Sequence, residues 1–265
     1  MFRLFSHFRP QSRNFVFFRP PRRSRRRAEW SQVSAINETT PLHDACRNGD
    51  ANTITKLVYD GANIHAKDEY GETPLHLVCG TVIHRISVED VKCLVDHGAD
   101  PNTKNSFGIA PLHYASQCAH VNVVQYFLRH GGGNVNLCDN QGKTPLHRAC
   151  IGEGNAYVIQ CLLEHGARNV KDYKGWTPLH YACWYGRVDH VEVLLSNSGG
   201  MDVYERGSRV PYPINDVQLS TYPFVGMDFC PTPLDLARIR EHTKVVALFE
   251  KYEEVKRLKR RMSMY

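Results

Sequence analysis

Apolar residues recur along the chain in closely matched groups. Leu57-Val58, Leu94-Val95, Phe127-Leu128, Leu162-Leu163 and Leu194-Leu195 each follow an aliphatic residue three positions before the first of the pair: Ile54, Val91, Val124, Ile159 and Val191. That i, i+3, i+4 spacing predicts a short amphipathic helix at every site. A second phrase precedes each group: Thr40-Pro41-Leu42-His43, Thr73-Pro74-Leu75-His76, Ala110-Pro111-Leu112-His113, Thr144-Pro145-Leu146-His147 and Thr177-Pro178-Leu179-His180. A sixth copy, Thr232-Pro233-Leu234-Asp235, is degenerate, and successive copies are 33, 37, 34, 33 and 55 residues apart.

These residues predict their own local structure. Thr caps a helix by accepting from an unpaired backbone N–H. Pro loses nothing in the first turn, where its missing N–H would have had no partner, and the Leu then points inward. After each second helix comes a Gly: Gly61-Ala62-Asn63, Gly98-Ala99-Asp100, Gly132-Gly133-Asn134, Gly166-Ala167-Arg168 and, more loosely, Gly200-Met201-Asp202. Gly supplies a left-handed stop. Each unit therefore reads as helix, turn, helix and a hairpin-like turn. One unit cannot bury both its faces, but a stack can. Ala110 lacks the capping hydroxyl, which predicts a helix start weaker by about 1 kcal/mol.

The two phrases at this period resemble the ankyrin repeat over roughly residues 39–252. The resemblance implies an all-α solenoid with repeats near 39–71, 72–108, 109–142, 143–175 and 176–206, an insert at 207–230 and a capping repeat at 231–252. The cap helix is expected to run on to about Arg261. It also implies that His43, His76, His113, His147 and His180, with Thr40, Thr73, Thr144 and Thr177, are structural and bond the turn backbone. It implies a protein partner in a concave groove lined by turn tips and first-helix ends. Among these positions, Tyr70, Phe107, Lys143, Tyr173, Trp176, Trp184 and Tyr185 are the expected contacts, with Trp176, Trp184 and Tyr185 as an exposed aromatic anchor and Glu69, Glu72 and Lys143 setting register. Asn136 and Asn102 stand eight residues after Leu128 and Leu94, the spacing of asparaginyl hydroxylation targets in this family. The simpler expectation is that both asparagines hold their own turns by side-chain hydrogen bonds.

Charge changes the picture at the ends. Residues 1–38 hold nine Arg and two Glu, and residues 251–265 hold six basic and two acidic residues. The chain carries +6 overall, so its middle is mildly acidic. A phosphate-binding role therefore belongs to the flanks. Arg19-Pro20-Pro21-Arg22-Arg23-Ser24-Arg25-Arg26-Arg27 and Lys256–Arg261 suit an import receptor or nucleic acid, and this is the alternative reading of function. The Arg- and Phe-rich start without acids also resembles a mitochondrial presequence, although Pro10 interrupts any helix. Nine Cys without a CxxC pair and no secretory h-region point to free thiols in the cytoplasm or nucleus. No apolar run is long enough to span a bilayer.

Nothing in the chain forecasts catalysis or a cofactor. No nucleophile elbow, zinc-protease helix or phosphate loop is present. The motif histidines, one per repeat, would stand about 10 Å apart in a stack. Zinc needs its ligands about 2 Å from one ion, so no metal site is expected. Cys46, Cys79, Cys150 and Cys183 share one repeat position and read as small buried apolar residues. The expected molecule is a monomeric, non-catalytic adaptor or scaffold.

Overall fold

A computed structural model describes residues 39–81, 87–197, 206–207 and 231–262, all within a unit spanning Ala35–Tyr265. The readings made of residues 1–38 and of most of the 207–230 insert fall outside the described residues. Among the described residues the chain forms six helix pairs and no strand. They are α1 (Pro41–Asn48) and α2 (Ala51–Tyr59), α3 (Pro74–Gly80) and α4 (Val88–Asp96), and α5 (Pro111–Gln117) and α6 (Val121–Arg129). They continue with α7 (Pro145–Ile151) and α8 (Tyr157–Glu164), α9 (Pro178–Trp184) and α10 (Val188–Ser196), and α11 (Pro233–Ile239) and α12 (Thr243–Met262).

The first helices pack in one row and the second helices in another, each against its counterpart in the neighbouring repeat. The motif leucines Leu42, Leu75, Leu112, Leu146 and Leu179 are buried, as are Ile54, Val91, Val124, Ile159 and Val191 from the second helices. Helices of seven to nine residues are too short to persist alone in water. The continuous core between the two rows is what holds them.

Between repeats the chain turns back in a tight loop: Asp68–Glu72, Asn105–Ile109, Asp139–Lys143 and Asp172–Trp176. In each, the first residue's N–H donates to the last residue's carbonyl at 2.9–3.0 Å. The first side chain, Asp68, Asn105, Asp139 or Asp172, accepts through Oδ1 from two further N–H groups of the same loop at 2.8–2.9 Å. The fourth position is Gly with φ between 72° and 78°, a region that costs side-chain-bearing residues strain. At Gly108 a Cβ would also press on the Asn140 side-chain oxygen and lie 2.6 Å from the Asn140 backbone nitrogen. Gly108→Ala should therefore lower stability by about 2 kcal/mol, read as a fall in denaturation midpoint by circular dichroism. An unchanged midpoint would show that the loops are not closely stacked.

In repeat four the longer turn after α7 packs back on repeat three: a Cβ at Gly152 would meet the Gln117 carbonyl, and one at Gly154 the Ala119 side chain. The added residues thus need a side-chain-free backbone. The last helix, α12, is far longer than its counterparts, and its buried side chains Val245 and Phe249 lie in its first half.

Candidate functional site

The motif histidines join the repeats. In four copies the N–H of the cap residue, Thr73, Ala110, Thr144 or Thr177, donates to the His Nδ1 at 3.1 Å, and Thr40 does the same to His43. A backbone N–H can only donate, so Nδ1 is unprotonated and Nε2 carries the hydrogen. Nε2 then donates to a carbonyl of the next repeat: His43 to Glu72, His76 to Ile109, His113 to Lys143, His147 to Trp176 and His180 to Pro231, at 3.0–3.3 Å. Both ring nitrogens are thus occupied. Burial pushes His76, His113, His147 and His180 down to about 4, because imidazolium would lose its solvation.

The hydroxyl caps as expected at Thr40 and Thr232, where it accepts from the N–H of His43 and Asp235, and elsewhere it takes another task. At Thr73, Thr144 and Thr177 its hydrogen bond runs to the His ring at 2.7–2.9 Å, and the ring caps the turn. Ala110 therefore keeps the backbone bond to His113 and lacks only the hydroxyl.

The loop tips form a second ladder. Ser106 N–H donates to the Tyr70 carbonyl, Asn140 to Phe107 and Tyr173 to Gln141, at 2.9–3.0 Å. The residue after the motif His braces these loops from the first helices. Tyr114 donates to Glu72, which also accepts from Asn105 Nδ2. Arg148 reaches Asp139, and Tyr181 donates to Asp172 at 2.6 Å. Burial outweighs these hydrogen bonds at Glu72 and raises its carboxyl. At Asp139 burial also pushes upward, but the Arg148 hydrogen bond and the loop N–H groups win and hold it low.

On this braced row Phe107 is 55% exposed, Tyr173 80% and Tyr185 43%; Tyr70 is half-buried and Glu69 exposed. The expected aromatic anchor is corrected here. Trp176 and Trp184 are each only 8% exposed. The Trp176 ring stacks on His180, meets the Tyr181 edge at 5.1 Å and lies 5.7 Å from Trp184. The Arg240 guanidinium from the capping unit covers Trp184 at 4.7 Å. The two indoles fill the junction with the sixth unit, and a partner does not meet them. Lys143 is likewise buried. Its ammonium bonds Gln141 Oε1 and lies over the Tyr181 ring, and burial, then Arg148, pulls it down to about 8. It does not project to set a partner's register, and Glu72 is already engaged by Tyr114.

Asn102 and Asn136 bridge repeats instead of holding their own turns. Asn102 donates to the Gly132 carbonyl and accepts from Asn134 N–H, while Asn136 donates to Gly166 and accepts from Arg168 N–H, at 2.7–3.0 Å. The sequence reading missed a further set of histidines. His120 bonds the Thr81 carbonyl, His190 that of Gly154 and His242 that of Trp184. They sit near the starts of second helices and share no motif, so only their recurrence there pointed to them. Cys46, Cys79, Cys150 and Cys183 are buried, and burial raises all four thiols, Cys46 to about 12.

A family model for ankyrin repeats matches three times, over residues 26–105, 82–171 and 131–206. The chain belongs to the ankyrin-repeat family. Ankyrin repeats are generally protein–protein interaction modules, and the family is typically non-catalytic. The match stops at 206; the sixth unit, beyond it, carries the degenerate Thr232-Pro233-Leu234-Asp235 copy and forms the helix pair α11 and α12. The chain is 35% identical over 136 residues to human transient receptor potential cation channel subfamily A member 1, covering 51% of the chain and 12% of that protein. It is 37% identical over 144 residues to human SH3 and multiple ankyrin repeat domains protein 2, with 54% and 8% covered. Human neurogenic locus notch homolog protein 2 is 32% identical over 166 residues, with 60% and 6% covered. The chain therefore spans a small fraction of each of these relatives.

Proposed function

We propose that this ankyrin-repeat chain is a non-catalytic adaptor, monomeric and resident in the cytoplasm or nucleus, that holds a segment of a protein partner along its row of loop tips. The observation that carries the reading is the pair of exposed rings, Phe107 and Tyr173, on loops fixed by two hydrogen-bond ladders. Aromatic side chains on a rigid frame make strong anchors, because little entropy is lost on binding. The two rings stand two repeats apart, roughly 20 Å at helix-packing spacing. An extended segment covers that in about six residues. Exposed Glu69 at one end of the row and exposed Lys174 at the other favour a segment with its basic end at the Asp68–Glu72 loop.

Affinity capture with the full chain and with the double variant Phe107→Ser, Tyr173→Ser tests this. Both side chains face solvent, so the variant should keep its melting temperature. The captured partner should bind it about thirtyfold more weakly, as expected for a hot-spot pair. Undiminished capture by the variant would sink the proposal.

A further inference from the structure

The exposed end of α12 is not needed by the groove. From Val255 to Met262 the helix carries Lys256, Arg257, Lys259, Arg260 and Arg261 and no acid. Among these cations Val255, Leu258 and Met262 are 41%, 50% and 78% exposed. Positions i, i+3 and i+7 lie along one side of a helix, so the three form an apolar stripe. It continues a line begun by Leu248 and Tyr252, which pack against the core. Apolar side chains flanked by cations on one helix match a surface that is negative outside and apolar beneath.

We infer that the C-terminal part of α12 docks on an anionic lipid surface, with Val255, Leu258 and Met262 entering the headgroup boundary and the surrounding Lys and Arg side chains meeting lipid phosphates and carboxylates. The packing of α12 favours a surface over an enclosing protein groove. Its first half is held against α10 and α11, so a partner that wraps the whole helix would collide with the stack, while a flat one need not. Nucleic acid would use the cations and leave the apolar stripe in water. The helix lies on such a surface and does not cross it: no helix among the described residues is long and apolar enough to span a membrane.

The test uses the full chain with vesicles of phosphatidylcholine alone, or with one-third phosphatidylserine, by co-sedimentation at low and moderate salt. Binding should require phosphatidylserine and weaken with salt. Each cation near such a surface contributes about fivefold, so Arg257→Gln, Lys259→Gln, Arg261→Gln together should weaken binding about a hundredfold. Leu258→Gln with Met262→Gln keeps every charge and should weaken it about tenfold or more. Hydrogen exchange at residues 253–262 should slow on vesicles, a local readout that the Arg-rich segment 1–38 cannot supply. Both variants change exposed positions, and unchanged thermal melting verifies that they fold. The inference is overturned if neither variant alters binding, which would place the attraction in residues 1–38. It is also overturned if only the charge variant does, which would leave simple polyelectrolyte attraction. Tight, stripe-dependent binding to calcium-loaded calmodulin with no binding to vesicles would overturn it in favour of an acidic protein groove.

Discussion

Acidification from pH 7 to pH 5 is expected to destabilise the ankyrin stack by several kcal/mol. His76, His113, His147 and His180 ordinarily titrate near 6.5, and burial in the fold pushes them to about 4. Between those values the unfolded chain binds protons that the folded chain refuses. The contribution is therefore fully present above about pH 6.5 and is lost as the pH falls towards 4. The loss by pH 5 is about 2 kcal/mol per histidine. Protonation would also set an N–H against the cap-residue N–H at Nδ1, breaking the turn that the same ring closes. Glu72 and Asp90, both raised by burial, oppose the trend, and His120 and His190, both lowered by burial, add to it. Denaturant unfolding at pH 7 and pH 5 checks it. His147→Leu should be less stable at pH 7 yet show a shallower pH dependence. A pH-independent stability would mean that the histidines are not held neutral in the stack.

Trp184→Ala should cost about 3–5 kcal/mol, the usual range for emptying a buried indole site. The indole lies between Trp176 and the Arg240 guanidinium, and the Trp184 carbonyl accepts from His242. The Arg240 and His242 contacts join repeat five to the capping unit. Because stability in a solenoid is shared between neighbouring interfaces, α11 and α12 should open first and the transition should broaden. Partner binding through Phe107 and Tyr173 should survive at temperatures below that opening. A variant that melts like the wild type but loses its partner would restore the exposed-anchor reading of this residue.

The helices were legible because the signals for them are local. Pro at the first turn, Leu two residues into the motif and an aliphatic triplet downstream each act within a few residues. The histidine was legible as structural, although its reach to the following repeat's carbonyl depends on stacking. The two indoles misled for a physical reason. Trp184 occupies the repeat position of Arg47, Gln117 and Ile151, which elsewhere is half-buried or exposed. Its burial depends on what the next unit offers, and here that is the irregular sixth unit with Arg240. Lys143 misled similarly: a charged residue in a turn suggests exposure, but Gln141 and the Tyr181 ring hold it inward. Phe107 and Tyr173 lie at loop tips whose conformation is set by their own Asn or Asp and Gly, so their exposure could be read from the repeat itself.

The adaptor reading is tested most directly by titrating the captured partner segment into the full chain at low and moderate salt, beside Phe107→Ser, Tyr173→Ser and a chain lacking residues 1–38. The account predicts a Kd that shifts less than about tenfold with salt, as fits one or two charge contacts. It also predicts a loss of about thirtyfold in the double variant and little change without residues 1–38. Affinity that collapses with salt, ignores the two rings and disappears with residues 1–38 would contradict it and place recognition in the basic flank.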